Sequence, residues 1–381
     1  MMSKTVYIHP AIRNYRVGIF NLLSKKLHVK FFWSGESKPG TYVSDEVKRI
    51  LQSTNVEYKQ SKELKSFPLD NFSLCLLKLP FSQYDTFIFS NITSVPYLLL
   101  APFLKVMGKK VILFDELWRY PHEIFKYKVI YPYVQFLSRY CLNSVVVAGS
   151  LAEKFYSQEL GFDKDKIFIA YNTTIDTKEA IRDDKLNTLI HERVEQVTHK
   201  KKILYLGRVV RYKGLDVLIE AMQSISTEYD LLVVGEGDFL AECKKLTAML
   251  SLNERVHFLG GCQSYEAPYY YHHADLFVLP TRLQLDANVQ IESWGFTVNE
   301  AMALELPVVT TTAVGAGADL VIDGVTGGLA IEGSVTSLAA KINDVIFSDV
   351  LSMGKKARQH LLFRCCYQKN YEAYCKALGA S

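Results

Sequence analysis

Apolar positions along the chain fall into short β-branched or aromatic runs separated by stretches with helical spacing. TVYIH (5–9), VKFFW (29–33), TFIFS (86–90), KVILF (110–114) and SVVVAG (144–149) read as strands. Between the first two, YRVGIFNLLSKKL (15–27) places its apolar residues three and four apart, as one face of a helix requires. Runs that are apolar at every position, rather than at alternate ones, predict strands covered on both faces. That is the signature of a parallel sheet with helices on each side. The pattern lapses over 172–202, where large apolar residues are few, and restarts with KILYLG (202–207). DLLVVGEG (230–237), RVHFLGG (255–261), DLFVLP (275–280) and PVVTT (307–311) continue it. The expectation is two doubly wound, Rossmann-like α/β domains: 1–171, a connection over 172–201, and 202–355. A C-terminal helix from 356 to 381 then returns toward the first domain. Ligands of open α/β sheets lie beyond the C-terminal strand ends, so a cleft between two facing domains is the expected active site.

Composition agrees with packed cores. The 381 residues are 49% hydrophobic and 22% charged, which excludes a disordered tail, and the length suits two cores rather than one. Seven cysteines, with no Cys-x-x-Cys pair, argue against a disulfide framework or a structural zinc site and fit a reducing compartment. The N-terminus shows no signal-peptide pattern. The most membrane-like run, VPYLLLAPFLKVMG, is interrupted by Pro96, Pro102 and Lys105 and is too short to span a bilayer. Formal charge is +4 in total but divides into +8 over residues 1–190 and −4 over 191–381. The basic, aromatic first half suits anionic headgroups or an acidic ligand, or is simply a solvated surface. No nucleic-acid-binding motif is present.

Three segments of the second half carry candidate chemistry. In IESWGFTVNEAMALELPVVTT (291–311), Glu292 and Glu300 bracket seven residues, and Gly295, Phe296 and Thr297 precede a helix. Unpaired amides at a helix start suit a diphosphate, and a carboxylate can accept two hydrogen bonds from vicinal sugar hydroxyls. In YLGRVVRYKGLDVLIEAM (205–222), Arg208 and Lys213 follow a strand and stand between Gly207 and Gly214. A guanidinium fork and an ammonium point charge form a natural pair for two phosphates. VVGEGD (233–238) places Gly235 at a strand end but lacks the third glycine of a dinucleotide loop. AVGAGADLV (313–321) either lines a phosphate site or packs a turn.

In order and spacing, GRVVRYKG, VVGEGD, ESWGFTVNEAMALELPVV and AVGAGADLVIDGVTGG resemble the donor-binding domain of the retaining glycosyltransferases of family 4, the group 1 family. RNYRVGIFNLLSKK (13–26) resembles the segment after the first strand in these enzymes. The resemblance implies a GT-B fold: two Rossmann-like doubly wound domains facing a central cleft, acceptor side first and donor side second. It implies transfer of a hexose-type sugar, with retention, from a UDP- or GDP-sugar to a glycan or lipid-linked acceptor hydroxyl. The work would be polysaccharide or glycolipid assembly, without metal or separate cofactor. Arg208 and Lys213 would bind the diphosphate and Glu300 the ribose. Glu292 would lie by the transferred sugar, and amides from Gly295 through Phe296 and Thr297 to Val298 would contact sugar and phosphate. Gly235 would belong to the same donor site.

One departure concerns the histidine that many members carry after an N-terminal-domain strand. Here that strand end, KVILFDELWRYPHEIF, bears Asp115 and Glu116, with His122 later. Glu116 is the candidate for sugar or acceptor hydroxyls. Asp115, His122, His9 and Arg13 are further acceptor-side candidates. Asp163-Lys164-Asp165 matches an Asp-x-Asp metal pattern but sits in a polar turn, and no His/Cys cluster has metal spacing. The sequons at Asn91 and Asn172 matter only in a secretory compartment. Lysines and arginines from Lys105 to Arg139 interleave with Tyr120, Tyr127, Tyr131, Tyr133 and Tyr140. With the family's habit of using lipid-linked glycans, they point to peripheral association with an anionic, cytoplasmic membrane face. The alternatives are a nucleotide-sugar epimerase or hydrolase of the same architecture and a non-catalytic sugar-nucleotide-binding subunit.

Overall fold

The computed structural model describes residues 4–9, 14–33, 58–60, 74–174, 177–284 and 290–380. The chain forms two compact units: residues up to 175 together with 365–381, and residues 176–364.

Unit 1 carries β1 (Thr5–His9), α1 (Val17–Leu27), β2 (Lys30–Trp33), β3 (Tyr58–Gln60), a 3₁₀ helix (Leu74–Phe81) and β4 (Thr86–Ser90). It continues with α2 (Val95–Val106), β5 (Lys110–Asp115), α3 (Phe125–Tyr140), β6 (Ser144–Val147), α4 (Ser150–Lys154) and β7 (Ile167–Ile169). The strands are parallel and ordered β3-β2-β1-β4-β5-β6-β7. β4 is buried at every position, as its unbroken apolar centre, Phe87–Phe89, requires. Phe87, Phe89, Val111 and Leu113 pack under one face, and Tyr7, Phe20, Phe31 and Ile112 under the other. Each such side chain stabilises the fold by roughly 1.5–3 kcal/mol relative to exposure.

Unit 2 opens with α5 (Asp184–Glu195), whose start is fixed by Asp183 accepting from the amides of Lys185 and Leu186 at 3.0 and 3.1 Å. It continues β8 (Lys201–Leu206), α6 (Leu215–Ala221), β9 (Tyr229–Val234), α7 (Leu240–Met249), β10 (Val256–Gly260), α8 (Ala267–His272) and β11 (Leu276–Leu279). Then follow α9 (Phe296–Ala303), β12 (Val308–Thr311), α10 (Gly315–Leu320), β13 (Gly327–Ala330), α11 (Val335–Ile346) and α12 (Val350–Arg364). This sheet is also parallel, ordered β10-β9-β8-β11-β12-β13. In both sheets the chain leaves a central strand in one direction and later returns to its other side. The switch lies between β1 and β4, and between β8 and β11. The ends of two adjacent strands whose connections depart oppositely leave a crevice.

Two boundaries differ from the sequence expectation. The polar stretch read as a connection contains α5, which buries Ile190 and Val194 within unit 2. Two buried residues in twelve are too weak a pattern to register as a helix of the core. The expected helix from 356 is two helices. α12 stays on unit 2, the chain extends at Cys366 (φ −126°, ψ 144°), and α13 (Tyr367–Leu378) packs in unit 1. There Tyr374 meets Tyr7 hydroxyl to hydroxyl at 3.2 Å, and Ser144 donates to the Ala377 carbonyl at 2.9 Å.

Candidate active site

The C-terminal ends of β8 and β11 bring together three side chains expected from the sequence. After β8 the chain makes a 3₁₀ turn, Arg211–Lys213, and reaches Gly214 at φ 71°. A Cβ there would stand 2.1 Å from the Pro280 carbonyl oxygen just beyond β11, so only glycine allows this approach. Two further ties lock the loops together. The Arg282 amide donates to the Tyr212 carbonyl at 2.8 Å, and the Arg282 guanidinium pairs with Asp216 at 2.8 Å. Across this seam the Lys213 ammonium donates to the Glu292 carboxylate, both side chains mostly shielded at 12% and 16% exposure. Arg208 donates to the Tyr212 hydroxyl at 2.8 Å, and its own carbonyl accepts from buried Tyr205 at 2.8 Å. Arg208 and Tyr212 also line a cavity of about 510 Å³, with Arg211, Asp238, Phe239 and Gln290 among its other walls.

Glu292 is presented by the backbone of α10. Gly315 and Ala316 donate their amides to the carbonyls of Glu292 and Trp294, at 3.3 and 2.7 Å. The absent side chain of Gly315 leaves room for the Ser293 carbonyl. AVGAGADLV thus anchors the 292–294 loop with its amides. Trp294 is buried and donates to Asn299 at 2.8 Å, tying the loop to α9.

Gly295 caps the start of α9, and its φ of 97° is costly for any residue with a side chain. The first amides of a helix lack intrahelical partners and carry its positive end. Phe296 and Thr297 hold the first two positions. The Thr297 hydroxyl is buried and has no hydrogen-bond partner. Val298 differs from the expectation that its amide faces a ligand. That amide closes the turn onto the Gly295 carbonyl at 2.9 Å, and the side chain is fully buried. Gly235, at the end of β9, donates its amide to the Gly260 carbonyl at 2.8 Å and so joins the strand ends.

Glu300 lies one turn into α9, half-buried, and accepts from the Tyr271 hydroxyl at 3.0 Å. Burial raises its pKa to about 7, opposed by that hydrogen bond. Tyr271 came from no sequence motif. It sits in the apolar run of α8, where its hydroxyl gives no pattern of its own.

The acceptor-side candidates lie in unit 1 and have distinct surroundings. Asp115 is buried at the end of β5. One carboxylate oxygen accepts from the amides of Glu116 and Leu117 at 2.8 and 3.1 Å. The other accepts from the Ile92 amide at 3.1 Å and the Tyr156 hydroxyl at 2.6 Å. Burial still pushes its pKa up to about 6. Its oxygens hold the turn rather than open toward a ligand. Glu116 accepts from Arg16 at 2.6 Å and from Asn172, and Arg16 lies 4.0 Å over the Phe114 ring. Arg16 and Asn172 are the residues missed here, separated from Glu116 by 100 and 56 positions. Asn172, a sequon in the sequence, is 2% exposed. His9 is buried edge-on to Phe20 at 5.4 Å. His122 rests edge-on to Tyr131 at 4.4 Å on the surface. Arg13 lies outside the described residues. Asp163 caps its own turn, accepting from the Asp165 amide at 3.1 Å and pairing with Lys166. Among the described residues no group of three or more His, Cys, Asp or Glu could hold a metal ion.

Two all-parallel Rossmann-like units define the GT-B fold class, and solved structures agree. The chain superposes on Anabaena Alr3699/HepE, crystallised with UDP, with a TM-score of 0.78 and 16% identity, covering 99% of this chain and 100% of that one. Residues 187–360, nearly all of unit 2, match the model of the glycosyl transferases group 1 family. The chain is 27% identical over 237 residues to the amylovoran biosynthesis glycosyltransferase AmsK of Erwinia amylovora, covering 61% of this chain and 51% of that protein. It is 26% identical over 258 residues to the capsular polysaccharide biosynthesis glycosyltransferase CapM of Staphylococcus aureus, covering 62% and 61%. The chain therefore spans between half and two thirds of the length of these curated relatives.

Proposed function

We propose that the protein is a retaining glycosyltransferase that moves a hexose-type sugar from a nucleotide diphosphate sugar to a hydroxyl of a glycan or lipid-linked acceptor. The observation that carries this reading is the meeting of Lys213 and Glu292, 79 residues apart, at the seam between β8 and β11. That seam is where an open parallel sheet takes its ligand, and the group 1 match covers the same unit.

In this reading Arg208 and Lys213 hold the diphosphate. Lys213 gives up part of its bond to Glu292 when phosphate arrives, and Glu292 turns to the hydroxyls of the transferred sugar. The amides of Phe296 and Thr297 and the Thr297 hydroxyl face the phosphate–sugar junction. Glu300 takes the ribose hydroxyls. During transfer the acceptor oxygen bonds to the anomeric carbon on the face from which the phosphate oxygen departs. The departing phosphate accepts the acceptor's proton. Cationic groups offset the charge growing on the diphosphate. Glu116 of unit 1, oriented by Arg16 and Asn172, is the candidate for acceptor hydroxyls. UDP in the Anabaena structure and the polysaccharide roles in the relatives' names make uridine nucleotides and glycan acceptors the first to test.

The test is turnover of UDP- and GDP-sugars with saccharide and lipid-linked acceptors, with product anomers read by NMR. The expected result is a glycoside retaining the donor configuration, and at least tenfold weaker nucleotide binding in Lys213→Ala. Epimerised or merely hydrolysed donor as the main product would favour the epimerase or hydrolase reading. Bound nucleotide without turnover across the acceptor panel would favour a non-catalytic subunit.

A further inference from the structure

Unit 1 exposes an apolar surface of unusual composition on three neighbouring segments, the 3₁₀ helix Leu74–Phe81, α2 and α3. On α3 the residues Phe125, Val129, Tyr133, Phe136 and Tyr140 recur three or four apart, so they form one stripe along the full helix. All five are exposed, Phe125 at 79% and Phe136 at 49%. The opposite face, with Val134 and Leu137, packs in the core. On α2, Leu99, Phe103 and Val106 make a second stripe, Val106 at 86% exposure. The stripes are joined: the Tyr133 hydroxyl donates to the Leu98 carbonyl at 2.8 Å, and Phe81 lies edge-on to Phe103 at 5.6 Å.

Charge is one-sided on this surface. The three segments contain no aspartate or glutamate, and exposed Lys78, Lys105, Lys126, Lys128 and Arg139 flank the apolar stripes. Other basic residues of the region are already engaged: Lys109 donates to the Tyr84 carbonyl at 2.7 Å, and Arg119 pairs with Glu123. Tyr120 is buried. The sequence list of basic and aromatic residues is therefore sorted by the fold into a packed subset and an outward one.

We infer that this face docks on an anionic lipid bilayer, with the aromatic stripe of α3 entering the interface and the lysines pairing with headgroup phosphates. An apolar stripe flanked by cations, on segments that themselves carry no anion, complements a surface that is negative outside and apolar beneath. Tyr133 and Tyr140 suit that boundary, since each joins an apolar ring to a polar tip. A second copy of the chain is the poorer occupant. A two-fold contact would set this cationic face against itself, and lysine is depleted from the cores of protein interfaces. Among the described residues no helix is long and apolar enough to cross a membrane, so the contact is lateral. The inference narrows the acceptor class of the proposed function to glycans carried on lipid, yet its test does not depend on turnover.

The experiment is flotation of the full chain with vesicles of pure phosphatidylcholine and of phosphatidylcholine with 30% phosphatidylglycerol. It is run at low and high salt and repeated for V129D/F136D and for K126E/K128E. The expected result is binding to the anionic vesicles alone, weakened at least tenfold by either double variant and by high salt. Unchanged circular dichroism and unchanged thermal shift with UDP would show that both units remain folded. If a double variant unfolds, the single substitution F136S, read the same way, is expected to weaken binding at least threefold. Failure to bind anionic vesicles, or equal binding by folded variants, would overturn the inference. A concentration-dependent dimer abolished by F136D, with no vesicle binding, would overturn it in favour of self-association.

Discussion

Glu300 retains its proton closer to neutrality than a surface glutamate does, because burial disfavours its charge more than the Tyr271 hydroxyl supports it. The folded pKa of about 7 stands above the unfolded value of 4.5. Between these pH values the native state binds more protons than the unfolded chain, so this group's contribution to stability falls as pH rises through 7. Glu300→Gln, which removes the ionisation, should therefore melt increasingly above the parent as pH is raised from 5 to 8. The difference should reach on the order of 1–3 kcal/mol. Melting curves across that range check it, and a gap independent of pH would refute the assignment. Donor affinity should run the other way, rising with pH in the parent, since only the carboxylate accepts from two ribose hydroxyls.

At the scale of elements, the site is a seam between two loops, and Gly214 sets its width. Gly214→Ala meets both a left-handed backbone and the Pro280 carbonyl, so β8's loop must retreat from β11. The expected cost is about 1–3 kcal/mol. Separation of Lys213 from Glu292 should lower nucleotide affinity beyond what stability explains, checked by pairing melting curves with titration of UDP. The strands of both sheets were legible in the sequence, since FIF, LLVV and LFVL are unbroken apolar runs. Gly327–Ala330 was not, because a strand of glycines and small residues has no hydrophobic pattern to read. The loops were legible only in part. Spacing and resemblance gave Arg208, Lys213, Glu292 and Glu300. The ion pair over 79 residues and the hydroxyl of Tyr271 needed the folded sheet, because tertiary partners leave no local signal.

At the scale of the whole molecule, α13 completes the core of unit 1. Asn370 donates to the Tyr171 carbonyl at 2.9 Å and to Thr173 at 3.1 Å, and Tyr367 fills the space over Gly18. Removal of residues 365–381 should uncover Tyr7 and Phe114, which meet Tyr374, and leave one face of the first sheet without part of its cover. The expected outcome is loss of the cooperative transition of unit 1 and of vesicle binding. Unit 2 should still be protected by UDP, which limited proteolysis with and without nucleotide would display. A truncated chain with two intact units would contradict this role.

That arrangement has a consequence for biosynthesis. Translation delivers every strand of the first sheet long before the segment that seals it, and the whole of the second unit is made in between. The earlier half must wait, partly open, while the later half can already fold behind it. A chain cut short before residue 365 would thus carry a finished second unit joined to an unfinished first one, a product that quality-control proteases can recognise by its uncovered aromatic core.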